Sequence, residues 1–178
     1  MPIKNIIQSI INDLPETDNL FTTFIKSYLY SPSFRVLLNY RIGKYFFFKK
    51  CFILRQIGNK YKSKLIVKRN CDISYYAHIG NKVILPHPLG IVIGKNVTIG
   101  DNVVIFQQVT LGSHGKINKE LSYPIVEDNV KIYAGAKIIG GVRIGSNSII
   151  GANAVVNIDV PANSTAYGVP CKIKYNTL

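Results

Sequence analysis

Three histidines, His78, His87 and His114, are the side chains of this sequence best suited to exchanging a proton near neutral pH. His87 stands out by its setting. In LPHPLGIVIGKNVTIGDNVVIFQQVTLG, residues 85–112, isoleucine and glycine recur every six residues, and His87 interrupts the chain just before that pattern becomes regular. Asp72 lies fifteen residues earlier. An imidazole can take the proton from a hydroxyl as that hydroxyl attacks, and a carboxylate on its other ring nitrogen fixes the tautomer and stabilises the imidazolium. The plain alternative for His87 is a corner residue flanked by Pro86 and Pro88. His78, in YYAHIG, fits a structural corner, and His114 opens a loop, GSHGKINKELSYP.

Other chemistries find less support. Cys51, Cys71 and Cys171 are scattered and odd in number, with no CxxC or Cys/His cluster, so neither a disulfide framework nor a bound metal is expected. An acyl-cysteine at Cys171 lacks an adjacent base. The formal net charge is +13 over 178 residues. No Asp or Glu occurs between Asn19 and Cys71, a stretch that holds twelve Lys and Arg. Such a field attracts nucleic acid, an acidic membrane or a phosphorylated small molecule, unless it is merely a solvated basic face. No nucleic-acid-binding motif accompanies it, so a nucleic-acid partner is not expected. The N-terminus has no signal-peptide core with a cleavage site, and no apolar run is long enough to span a bilayer. A reducing, cytoplasmic setting is the expectation.

The elements that must position His87 change character near residue 70. Residues 1–70 are expected to form a basic, aromatic-rich helical region. One helix runs through IKNIIQSIINDL. Another begins with Ser31 as N-cap and Pro32 at its first position, weakens at Gly43 and ends at Gly58. The cluster Tyr45, Phe46, Phe47 and Phe48, followed by Lys49 and Lys50, is too apolar for a free surface. It packs on the second half of the chain or lies in a membrane interface.

Residues 71–170 carry a six-residue repeat, interrupted by a loop over 112–125, with a tail over 171–178. Its large apolar positions are Ile73, Ile79 and Leu85, then Ile93, Ile99, Ile105 and Leu111, then Val126, Ile132, Ile138, Ile144, Ile150 and Val156. Four residues after most of them stands a small or β-branched residue, and glycine often follows directly. A period of six is wrong for a helix and too long for simple strand alternation. It suits short strands joined by sharp corners and stacked as a parallel solenoid, three hexapeptides per turn. Glycine is expected to supply the unusual backbone angles at the corners.

The pattern [LIV]-G-x-x-[VAS]-x resembles that of the left-handed parallel β-helix, or hexapeptide-repeat, acyltransferases. Within them, DISYYAHIGNKVILPHPLGIVIG, QQVTLGSHGK and AYGVPCKI are similar to the serine acetyltransferase branch, over about residues 71–174. The segment SPSFRVLLNYRIGKYF resembles the short helical lead-in of members associated with bacterial surface polysaccharides. The resemblance implies a homotrimer and acetyl-CoA as acyl donor. It places the general base at His87 with Asp72 as its partner. It carries coenzyme A along Ala134 and Ala152, past Asn157 and Ile158 at the nucleotide end, to Lys172 at the phosphates. His114 is a rival base, because related sugar acetyltransferases carry theirs on a loop in this region.

Two departures bear on the acceptor. Pro86 stands where serine acetyltransferases usually have Asp, and Ser122 and Tyr123 stand where their loop has Arg-His. Both remove charged or ionisable groups suited to a zwitterion. Tyr123 could stack on a sugar instead, with His114 beside it. The expected function is therefore O-acetylation of a sugar hydroxyl of a surface polysaccharide or its lipid-linked precursor, with a possible peripheral contact at an anionic membrane. Serine O-acetylation is the alternative acceptor reading. A non-catalytic solenoid scaffold is the alternative of another class.

Overall fold

The structure is a computed structural model and describes residues 2–115 and 123–175. Four helices come first: α1 (Ile3–Asn12), α2 (Leu20–Tyr30), α3 (Pro32–Phe47) and α4 (Phe52–Arg69). The Ser31 hydroxyl accepts the Phe34 amide at the start of α3, with Pro32 at its first turn. The expected single helix to Gly58 is instead two, α3 and α4, broken over 48–51. Gly58 lies inside α4, where it is needed for close packing: a Cβ there would sit 2.5 Å from the Phe47 amide nitrogen.

A three-sided parallel β-helix follows. Its first face stacks β1 (Cys71–Ile73), β3 (Ile91–Ile93), β6 (Thr110–Gly112), β9 (Lys137–Ile139) and β12 (Val155–Val156). The second stacks β2 (His78–Ile79), β4 (Thr98–Ile99), β7 (Ile125–Val126) and β10 (Arg143–Ile144). The third stacks β5 (Val104–Ile105), β8 (Lys131–Ile132), β11 (Ile149–Ile150), β13 (Ser164–Tyr167) and β14 (Lys172–Tyr175). The stacked strands pair in parallel, except that β14 folds back antiparallel on β13. The tail residues 172–175 thus extend the third face.

All the large apolar residues of the repeat are buried, from Ile73 to Val156, and they form one core with Val36, Leu37, Tyr40 and Leu65 of the helices. Stacking hides the edge that no single coil could bury. The corner angles are not supplied by the glycines that follow the apolar positions. The left-handed conformation falls mostly on Asn96, Asn102, Asn129, Asn147, Asn153 and Asn163, with Lys82 and Gln108 in the same role, and glycine supplies it at Gly90, Gly135 and Gly140. Asparagine tolerates that region better than other side chains because it can hydrogen-bond locally. A glycine such as Gly100 answers a different need. A Cβ there would lie 2.9 Å from the Asp128 amide nitrogen of the next coil.

Helix α3 is fastened to the top of the solenoid. Arg41 pairs with Asp13 and donates to the carbonyls of Ile79 and Gly80, and the Tyr40 hydroxyl donates to the Ala77 carbonyl at 2.7 Å. Burial raises the Asp13 carboxyl above its ordinary range, and Arg41 opposes the rise.

Candidate active site

His87 lies in the loop that enters β3, at the edge where the chain passes from the third face to the first. Two contacts hold the loop. The Cys71 thiol donates to the Pro88 carbonyl at 3.2 Å, and the Gly90 amide donates to the Asn70 carbonyl at 2.8 Å. Burial pushes the Cys71 thiol up to about 11, which suits a structural anchor and not a nucleophile. The His87 side chain is exposed.

The same entry edge carries a column of corners. The Gln108 amide donates to Leu89, the Gly135 amide to Gln107 and the Asn153 amide to Ala134, each at 2.8–2.9 Å. Ala134 and Ala152 therefore stand on the second and third coils beyond His87, with Gln107 and Gln108 on the coil between. Lys172 pairs with Tyr167 at the end of β13, which places it beyond Ala152 on the same edge. With about 4.8 Å per strand spacing, and five spacings from the His87 segment to β14, the column from His87 to Lys172 is about 24 Å long. Past Gln107 and Gln108 its corners carry the small residues Ala134, Gly135 and Ala152, and a Cβ on Gly135 would collide with the Asn153 side chain.

Asp72 sits on the outward side of β1, in register with Val92, Thr110 and Lys137. It is close to the base of the His87 loop through Asn70 and Cys71. No hydrogen bond joins it to His87, whose ring has no hydrogen-bond partner among the described residues. The Asp72 carboxylate accepts instead from Lys62 of α4, at 2.5 Å. Lys62 was legible only as one member of the basic run.

The remaining residues fall on the opposite edge, where the chain leaves the first face. Tyr123 packs against Gly94: a Cβ on that glycine would lie 3.1 Å from the Tyr123 ring. The His114 ring covers Gly140 in the same way. Asn157 and Ile158 follow β12 on this edge and are exposed. Ser122 and the loop residues 116–122 lie outside the described residues. One chain thus brings His87, Ala134, Ala152 and Lys172 together. It sets Tyr123, His114, Asn157 and Ile158 on the other edge of the first face, which is about 10 Å across, the length of a three-residue strand. His78 lies exposed in β2 on the second face, apart from both groups.

Comparison with known proteins agrees with this architecture. The family described as bacterial transferase hexapeptide (six repeats) matches residues 123–157. A serine acetyltransferase structure from Neisseria gonorrhoeae superposes with a TM-score of 0.82 at 30% identity, covering 98% of this chain and 68% of that one. The chain belongs to the hexapeptide-repeat acyltransferases, on their serine acetyltransferase-like branch. The solenoid of this family member is accordingly a left-handed β-helix. A serine acetyltransferase structure in complex with CoA superposes with a TM-score of 0.77 at 31% identity, covering 96% of this chain and 70% of that one. The serine acetyltransferase of Buchnera aphidicola subsp. Schizaphis graminum is 34% identical over 172 residues, 95% of this chain. The chain spans 65% of the length of that relative.

Proposed function

We propose that this protein is an acetyl-CoA-dependent O-acetyltransferase in which His87 acts as general base. The observation that carries the reading is the entry-edge column. It sets an exposed imidazole at one end, a basic side chain at the other and, past Gln107 and Gln108, the small residues Ala134, Gly135 and Ala152 between. Coenzyme A has a matching form: a thioester at one end, phosphates at the other and a long arm between. Ala134 and Ala152 leave room for the arm, and Lys172 supplies charge for the phosphates. The acetyl thioester then lies beside His87. His87 takes the proton from the attacking hydroxyl and returns it to the departing thiolate. In this reading Asp72 holds the imidazole through its second carboxylate oxygen.

The acting assembly is a homotrimer. The residues on the exit edge serve the column of a neighbouring subunit, because on one chain the two edges are separated by the width of the first face.

L-Serine is the acceptor that the relatives favour, since the matched proteins of known activity are serine acetyltransferases. The surface-polysaccharide acceptor, expected first from the sequence, draws no support from the relatives named above. A sugar hydroxyl stays as a second reading on one specific observation. Pro86 and Tyr123 stand where a zwitterion would be met by ionisable groups, and the Tyr123 ring lies against Gly94 on the exit edge. Contact with an anionic membrane belongs to that second reading. Phe48, Phe52 and Ile53 are exposed at the turn between α3 and α4, beside Lys49, Lys50 and Arg55. None of the described helices is long and apolar enough to cross a membrane.

The test is loss of the acetyl-CoA thioester with L-serine and with a panel of mono- and oligosaccharides, followed by mass spectrometry of the product. O-Acetylserine supports the first reading and an acetylated sugar the second. No acetylated product from any hydroxyl compound overturns both.

A further inference from the structure

An ion pair joins α4 to β1. Lys62 Nζ reaches Asp72 Oδ1 at 2.5 Å and the Ile73 carbonyl at 2.8 Å. The Asp72 carboxylate makes no other hydrogen bond among the described residues. Its side chain is 57% exposed, while that of Lys62 is 28% exposed. The lysine stem is confined by Tyr75, with Nζ 5.9 Å from that ring centroid. Lys62, Asp72, Phe47, Tyr75, Tyr76 and Lys95 line one cavity of about 320 Å³.

An exposed carboxylate on a three-residue strand turns freely unless something holds it. Here the ammonium is itself tied to the next carbonyl of the same strand, so it holds Asp72 in one rotamer. The bond uses Oδ1 and leaves Oδ2 open to an imidazole N–H. The loop of His87 is fastened at Cys71 and Asn70, immediately before Asp72. The carboxylate is therefore fixed from the helical side, and the imidazole approaches from the other.

We propose that Lys62 is a positioning residue for the Asp72–His87 pair, so that α4 forms part of the catalytic machinery and is more than a lead-in to the solenoid. The inference rests on the reading of His87 as the base. Lys62 acts through Asp72 and not on the substrate. Its removal should therefore reach kcat and leave acetyl-CoA binding alone.

The experiment is a double-mutant cycle on the full chain, with acetyl-CoA and the best acceptor from the panel above. Lys62→Met should lower kcat about five-fold or more, within the range found for residues in direct contact. KM for acetyl-CoA and the melting temperature should stay near the wild-type values. Lys62→Arg, which keeps the donors and the charge, should recover most of the rate. In an Asp72→Asn background, Lys62→Met should have almost no further effect. The proposal is overturned if Lys62→Met leaves kcat unchanged, or if it costs as much without the Asp72 carboxylate as with it. Failure of the underlying reading looks different: His87→Ala would then retain full activity, whatever Lys62 does.

Discussion

Ala152→Tyr places a ring across the entry-edge column without touching the core. Ala152 is exposed at a corner, one coil beyond Ala134. A substitution there should change stability by no more than about 0.5 kcal/mol. Its effect on the donor should be larger. The ring closes about one coil of the column, about 4.8 Å. That length takes roughly three methylene-sized groups of an extended arm, each worth about 0.8 kcal/mol when buried. Losing about 2.4 kcal/mol weakens binding about fifty-fold. Acetyl-CoA titration by calorimetry and the KM for acetyl-CoA should both report this change. At saturating donor kcat should recover, because His87 lies three coils away. Unchanged acetyl-CoA affinity would refute the column as the donor site. So would a fall in kcat with no change in KM.

Three further expectations follow from the same geometry. Sedimentation equilibrium should give three times the chain mass, and an active monomer would remove the argument that the exit edge serves a neighbour. Gly100→Ala should destabilise the fold by about 1–3 kcal/mol through overpacking against the Asp128 backbone; an unchanged thermal midpoint would contradict that packing. Flotation with anionic liposomes at low salt, lost when Phe48, Lys49 and Lys50 are replaced together, would support membrane contact at the α3–α4 turn, and no flotation would exclude it.

The solenoid was legible because its signal is local and repeated. Each buried position, such as Ile99 or Ile132, is announced by its distance from the last. Ser31 and Pro32 announced α3 in the same way. Helix α2 was not legible, since it has no buried residue to impose a pattern. The break between α3 and α4 was missed because Gly58 was taken for a terminator, when the Phe47 backbone packs against it. The corner glycines were misread for a related reason. The repeat shows that glycine is present but not whether φ or a neighbouring coil demands it, and asparagine carries most of the left-handed angles, with Gly90, Gly135 and Gly140 carrying others. In the candidate site, the packing of the His87 loop on Asn70 and Cys71 followed from the spacing of one coil. The link from Lys62 to Asp72 crosses a helix-to-strand junction, where no periodicity relates the two residues. The separation of Tyr123 from His87 depends on which edge each corner occupies, and that appears only once the three faces are assigned.

His87 is the residue on which the proposed acetyl transfer depends most directly. Its test is the rate of thioester loss by wild type and His87→Ala with the same acceptor, together with acetyl-CoA binding to each. With His87 as general base, kcat falls about 10²-fold or more, while donor affinity stays near wild type and His114→Ala remains active. A His87→Ala enzyme that turns over near the wild-type rate, or a His114→Ala enzyme that does not turn over, would contradict it.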